Sequence, residues 1–139
     1  MKEIYVLTLM LFLGVNLTLA QTKFFELGRI LKTDLVDINN DGDLDKVSIR
    51  IVKHKSELAL TLRDYDSDRN KYGKEKTIEM IPYKNNPEIF LIPGGIDSTG
   101  YCDITITLED EIAGENISYK ILYKDESHHY IDKRTVTKY

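Results

Sequence analysis

The sequence predicts an all-β domain, an antiparallel meander of about seven to nine strands folded as a sandwich or an open barrel. Three observations carry that prediction. Apolar and polar residues alternate with period two over several long stretches, which is how an antiparallel strand buries one face and solvates the other. Short segments rich in Asp, Asn, Gly and Ser punctuate those stretches at hairpin spacing. Past the N-terminus, no long segment repeats its apolar residues at the 3.6-residue period of an amphipathic helix.

The first element is not part of the fold. Lys2 precedes an apolar run from Ile4 to Val15, and Thr18-Leu19-Ala20 supplies small residues before Gln21. This is the layout of a secretory signal peptide spanning residues 1–20. Asn16 and Thr18 interrupt the run before it reaches the ~20 apolar residues that a membrane span needs. The expectation is therefore a cleaved leader, a single domain over residues 21–139, a periplasmic or secreted location and no membrane contact after cleavage.

Phe24 to Val36 is the first, weaker strand candidate. Val47, Ile49 and Ile51 alternate with Ser48 and Arg50, and Leu58, Leu60 and Leu62 alternate with Ala59 and Thr61. A charged loop, Tyr65 to Glu75, follows. Thr77–Tyr83 and Glu88–Ile92 are more continuously apolar and are expected to lie deeper in the core. Pro93 to Gly100 has the composition of a turn. Ile104, Ile106 and Leu108 form the next alternating strand, Asp110 to Glu115 a hairpin loop, and Ile117 to Tyr123 its partner strand. After Asp125 to His129, the run from Tyr130 to Tyr139 is a second weaker candidate.

Composition narrows the function classes. The net charge of −4 speaks against nucleic acid, which attracts a basic surface. Cys102 is the only cysteine, so no internal disulfide can form and a secreted domain must rely on its core or on a bound ion. A small buried hydrophobe is the expected role of Cys102.

The most informative segment is Asp37-Ile38-Asn39-Asn40-Asp41-Gly42-Asp43-Leu44-Asp45. Asp37, Asn39 and Asp41 place oxygen ligands at alternate positions. Gly42 supplies the sharp turn, the main-chain carbonyl of Asp43 faces the ring, and Asp45 returns a carboxylate at the ninth position. A hard cation that takes six to eight oxygens fits this set, and calcium is favoured over magnesium, which keeps its waters. An acidic turn without an ion would crowd like charges together. Leu44 is expected to turn inward and anchor the loop. Ser48 stands where a helix–loop–helix calcium site carries a bidentate glutamate, and strands rather than helices flank the loop. The second acidic run, Asp64, Asp66 and Asp68, lacks the glycine and carries Arg69. It is expected to be a solvated loop, with a second cation site as the alternative.

Other chemistry is sparse. His128 and His129 are adjacent, so on a strand they point to opposite faces, and both are expected to be exposed. No serine sits in a nucleophile elbow.

The loop D-x-N-x-D-G-x-x-D resembles the calcium loop of FG-GAP and related repeats. A propeller needs at least four blades, and one loop in a chain of this length leaves no room for them. With the glycine-rich middle and the Tyr-Lys-rich segment Tyr119 to Lys124, the chain is similar to small exported calcium-binding immunity proteins that inhibit peptidoglycan-cleaving effectors. Ser98, Gly100 and Tyr101 distantly resemble the inhibitory loop of periplasmic lysozyme inhibitors. The resemblance implies a non-enzymatic domain that binds calcium and a protein partner such as a cell-wall hydrolase. A calcium-rigidified structural or adhesion module, and a small hydrolase, are the alternatives.

Overall fold

The computed structural model describes residues 25–139; the expected leader and Phe24 lie outside the described residues. Among the described residues there is no helix and there are ten strands: β1 (Leu27–Val36), β2 (Asp45–Val52), β3 (Glu57–Arg63), β4 (Tyr65–Asp66), β5 (Lys71–Tyr72), β6 (Lys76–Pro82), β7 (Glu88–Ile96), β8 (Cys102–Asp110), β9 (Glu115–Asp125) and β10 (His128–Lys138). The eight long strands form two four-stranded antiparallel sheets, ordered β1-β2-β3-β6 and β10-β9-β8-β7, while β4 and β5 make a separate small hairpin. Each sheet is a meander of successive hairpins, and the two stack without closing into a barrel. The count exceeds the expected seven to nine because the charged loop after Arg63 folds into that hairpin.

The period-two alternation predicts the core. Val47 and Ile49 on β2 and Leu58, Leu60 and Leu62 on β3 meet Ile104, Ile106 and Leu108 on β8 and Tyr119, Ile121 and Tyr123 on β9. Each fully buried aliphatic side chain contributes about 1.5–3 kcal/mol to this contact. The central strands β2, β3, β8 and β9 therefore hold the fold, while β1 lies beside β7 on one side of the sandwich and β6 meets β10 on the other.

Two expectations need correction. Neither Thr77–Tyr83 nor Glu88–Ile92 is deeper in the core: β6 and β7 are both sheet edges, β6 buries only Ile78 and Ile81, and Phe90 and Ile92 of β7 are 37% and 56% exposed. An edge strand can be apolar throughout and still bury only one face. Pro93 to Ile96 is not a turn but the end of β7. Pro93 is tolerated because its missing N–H falls at an edge, and a register shift between Pro93 and Gly95 absorbs the bend. A side chain at Gly94 would meet the Asp103 Cβ at 3.1 Å, so glycine permits the close approach of β7 to β8.

Strand direction sorts the connections. The segments after β1, β3, β7 and β9 gather at one end of the sandwich. Those after β2, β6 and β8 gather at the other. The connection from β6 to β7 carries the chain from one sheet to the other, tied by Tyr83 N–H to the Ser56 carbonyl at 3.0 Å and by Asn85 Nδ2 to Asp110 Oδ2 at 2.7 Å.

Candidate metal centre

Val36 at the end of β1 pairs with Asp45 at the start of β2, so the segment from Asp37 to Leu44 must reverse the chain. Two left-handed residues do it, Asn40 at φ 60° and Gly42 at φ 93°. Asparagine and glycine are the residues that visit this region at least cost.

The side chains of the loop organise its backbone. Asp37 Oδ1 accepts from the Asp41 N–H at 3.1 Å, and Asp37 Oδ2 accepts from the Gly42 N–H at 2.9 Å. Asn39 Oδ1 accepts from the same Asp41 N–H at 3.3 Å. Asp41 Oδ1 accepts from the Asp43 N–H at 2.9 Å. Each is the short-range side chain-to-backbone bond that Asp and Asn favour in turns.

Asp45 is different in kind. It is fully buried. Its Oδ2 accepts from the Ile38 N–H at 3.1 Å and its Oδ1 from the Tyr65 N–H at 2.9 Å. One carboxylate thus joins the start of the loop to the first residue of β4. Burial pushes the Asp45 carboxyl above its ordinary value, the Tyr65 and Ile38 amides pull it back, and the charges of Asp64 and Asp41 raise it further. Beneath it, the Cys102 thiol is fully buried and is pushed up to about 11, by burial first and then by Asp103, Asp37 and Asp45.

Asp37, Asp41 and Asp45 each offer a carboxylate oxygen, and these oxygens lie within 4.8 Å of one another. Among the described residues, no ion pair uses any of the three. The site is a concentration of negative charge with no basic side chain to balance it, and each carboxylate keeps lone pairs beyond those its amides use. The donor set is all oxygen. This three-Asp cluster can hold a metal ion. The structure therefore brings together three of the five residues predicted from the loop spacing. The Asn39 amide oxygen lies against the Asp41 N–H, and the Asp43 N–H donates to Asp41 Oδ1.

Leu44 does not anchor the loop. It is 53% exposed, and Ile38, fully buried, takes that role. Asp45 occupies the inward position at the head of β2, in phase with Val47, so by strand alternation its neighbour Leu44 must face out. The Tyr65 amide is the partner that sequence spacing gives no sign of, since it lies on another strand pair.

The second acidic run is a turn. Asp66 Oδ1 accepts from the Asp68 N–H at 3.1 Å and the Arg69 N–H at 3.2 Å. Asp66 also pairs with Arg69 at 3.5 Å and Asp64 with Lys76 at 3.4 Å. Of the adjacent histidines, His128 is exposed, but His129 is half-buried, with Nδ1 3.2 Å from Glu79 of the facing sheet. The Asp97–Tyr101 segment is a tight turn in which Asp97 Oδ1 accepts from the Thr99 N–H, the Thr99 hydroxyl and the Tyr101 N–H at 2.9, 2.6 and 3.0 Å.

Comparison with family models, with curated proteins and with solved structures returns no match. The fold and the site define a small two-sheet β-domain whose first hairpin loop gathers three carboxylates able to hold a metal ion.

Proposed function

We propose that this is an exported, non-enzymatic calcium-binding domain that presents its loop end to a protein partner, with inhibition of a cell-wall hydrolase as its sharpest form. The observation that carries the reading is the convergence of Asp37, Asp41 and Asp45 without a counter-cation. An all-oxygen, carboxylate-rich ring suits calcium, which accepts irregular geometry at roughly 2.3–2.6 Å. Main-chain and water oxygens would complete the shell around the three carboxylates and the Asn39 amide.

The surroundings support a binding role. Tyr65 packs edge-on to Tyr72 at 5.3 Å, and Tyr101 packs edge-on to Tyr130 at 5.8 Å. Both pairs stand at the same end as the metal loop. Tyrosines beside Asn, Ser and Gly loops give large rigid contact area at little entropic cost, which is the composition of binding surfaces. Three other acids are engaged in structure: turn hydrogen bonds hold Asp97 and Asp110 below the ordinary carboxylate range, and the His128 side chain with the Ser127 amide does the same for Asp125.

Asp45 favours a second reading, a calcium-rigidified structural or adhesion module, because it ties the loop to β4. Affinity capture from cell-envelope extract in calcium and in chelator separates the two. A single stoichiometric enzyme, recovered in calcium and inhibited by the domain, supports inhibition. Retention on envelope material with no enzyme partner supports the adhesion module. Unchanged melting on chelation overturns the calcium reading in both forms.

A further inference from the structure

The end of the sandwich away from the metal loop carries a groove of about 820 Å³ that Tyr83, Leu108, Ile117, Tyr119, Glu115 and Arg134 help to line. β6 meets β10 near the loop end through Glu79 and His129. Towards the other end β6 stops at Pro82, while β9 begins at Glu115 and β10 runs on to Lys138, and part of the second sheet's inner face lies open there. The volume falls in the roughly 300–1,000 Å³ of small-ligand sites.

The charged residues that line this groove are Lys84, Asp110, Glu115 and Arg134. Asp110 is already used, accepting from Asn85 Nδ2 at 2.7 Å and from the Ala113 N–H at 3.0 Å. Arg134 is not: its guanidinium lies 5.9 Å from the Tyr119 ring centroid, its Nε donates to the Tyr119 hydroxyl at 3.4 Å, and among the described residues no carboxylate pairs with it. Glu115 forms no ion pair among the described residues, with Lys138 opposite it on β10 and Asp110 opposite it on β8. Arg134 pairs across the ladder with Tyr119, and Glu115 begins the same β9 strand. The four-residue offset sets the backbone positions of Glu115 and Tyr119 roughly 13 Å apart along the strand. Between them lie Ile117 and the edge of Leu108.

From this arrangement we infer that the groove binds a short extended peptide with free termini and apolar side chains. Its carboxylate sits on Arg134, its amino group on Glu115 and its side chains on Ile117 and Leu108. An extended chain of about four residues spans that distance. Arginine recognises a carboxylate in bidentate fashion, and the opposite charge at the other end selects against a purely anionic amphiphile. This site is independent of the metal loop.

The test is titration of the domain with the peptide Ala-Val-Val-Ala, followed by amide NMR shifts and calorimetry. We expect saturable binding with shifts at Ile117 and Tyr119, unaltered by chelator. Amidation of the C-terminus and acetylation of the N-terminus each weaken it about tenfold, the loss of one charge-assisted contact. Arg134→Gln removes the sensitivity to amidation and Glu115→Gln the sensitivity to acetylation. Both residues are at the surface of the groove, and circular dichroism checks that the variants fold. Absence of shifts, equal binding by Arg134→Gln, or preference for a fatty acid with no effect of Glu115→Gln overturns the inference. None of these results bears on calcium binding, which is read separately by melting with chelator.

Discussion

Replacing Asp45 by alanine tests whether the loop is clamped by a side chain as well as by an ion. The structure sets the magnitude in the absence of metal. Asp45 accepts from Ile38 N–H at 3.1 Å and Tyr65 N–H at 2.9 Å. Ile38 is fully buried, so its amide loses its partner without gaining water, at a cost of about 1–3 kcal/mol. Tyr65 is half-buried and water recovers part of its loss, leaving about 0.5–1 kcal/mol. Relief from holding a buried charge offsets some of this. The net expectation in chelator is a loss of about 2–3 kcal/mol. Urea denaturation reads it as a lower midpoint at unchanged slope. In calcium the parent gains a further increment, about 2.7 kcal/mol when the ion stands at a hundred times its Kd, and Asp45→Ala gains far less. A loss below about 0.5 kcal/mol in chelator would mean that the two amides do not depend on this carboxylate, and the clamp would be refuted.

Other predictions follow from the same geometry. Because burial raises the Asp45 carboxyl, the metal-free fold binds this proton more tightly than the unfolded chain does. Ionising it costs stability as pH rises from the ordinary aspartate value through the raised one, and acid restores that stability. The penalty of Asp45→Asn in chelator should therefore grow as pH falls from 7 towards 4, measured by paired denaturation curves; a shrinking penalty reverses the sign. Gly42 has φ 93° and nothing within 4 Å of an added Cβ, so Gly42→Ala should cost about 1–2 kcal/mol by backbone strain alone. A loss beyond ~4 kcal/mol would require a clash that the loop does not contain. The buried Cys102 thiol, pushed up to about 11, should react with a thiol reagent only through opening of the fold. Its labelling should slow when calcium is added, and fast labelling insensitive to calcium would place it in a locally open segment.

The strands of the core were legible because period two is a property of the chain: Val47, Ile49, Leu58, Leu60, Ile104, Ile106 and Ile121 are all fully or almost fully buried. What alternation does not carry is a strand's place in its sheet. Glu88–Ile92 and the central strands have similar composition, yet β7 lies at an edge, and order within a sheet is set by pairing between segments far apart in sequence. The same limit applies at the metal loop. Spacing alone found Asp37, Asp41 and Asp45, because ligands of a tight ring are local. It misplaced Leu44, whose direction follows from Asp45 being buried. It could not reveal the Tyr65 amide, which reaches Asp45 only after β3 has returned the chain to the same end of the sandwich.

The amides of the loop also bear on how an ion would bind. Asp37, Asn39, Asp41 and Asp45 already hold the backbone in its turn by hydrogen bonds to Asp41, Gly42, Asp43, Ile38 and Tyr65. An incoming cation therefore orders little additional chain, which keeps the entropic cost of binding low. The same amides compete with the ion for carboxylate lone pairs, which limits how much new contact energy it gains. The largest remaining term is relief of charge: Asp45 is buried with Asp64 and Asp41 raising its pKa further, and a divalent ion relieves the repulsion between Asp41 and Asp45, neither of which pairs with a lysine or arginine among the described residues. Affinity at this site should accordingly fall with added salt less than a surface ion pair does, and should fall steeply as acid protonates Asp45, because the proton and the ion relieve the same buried charge.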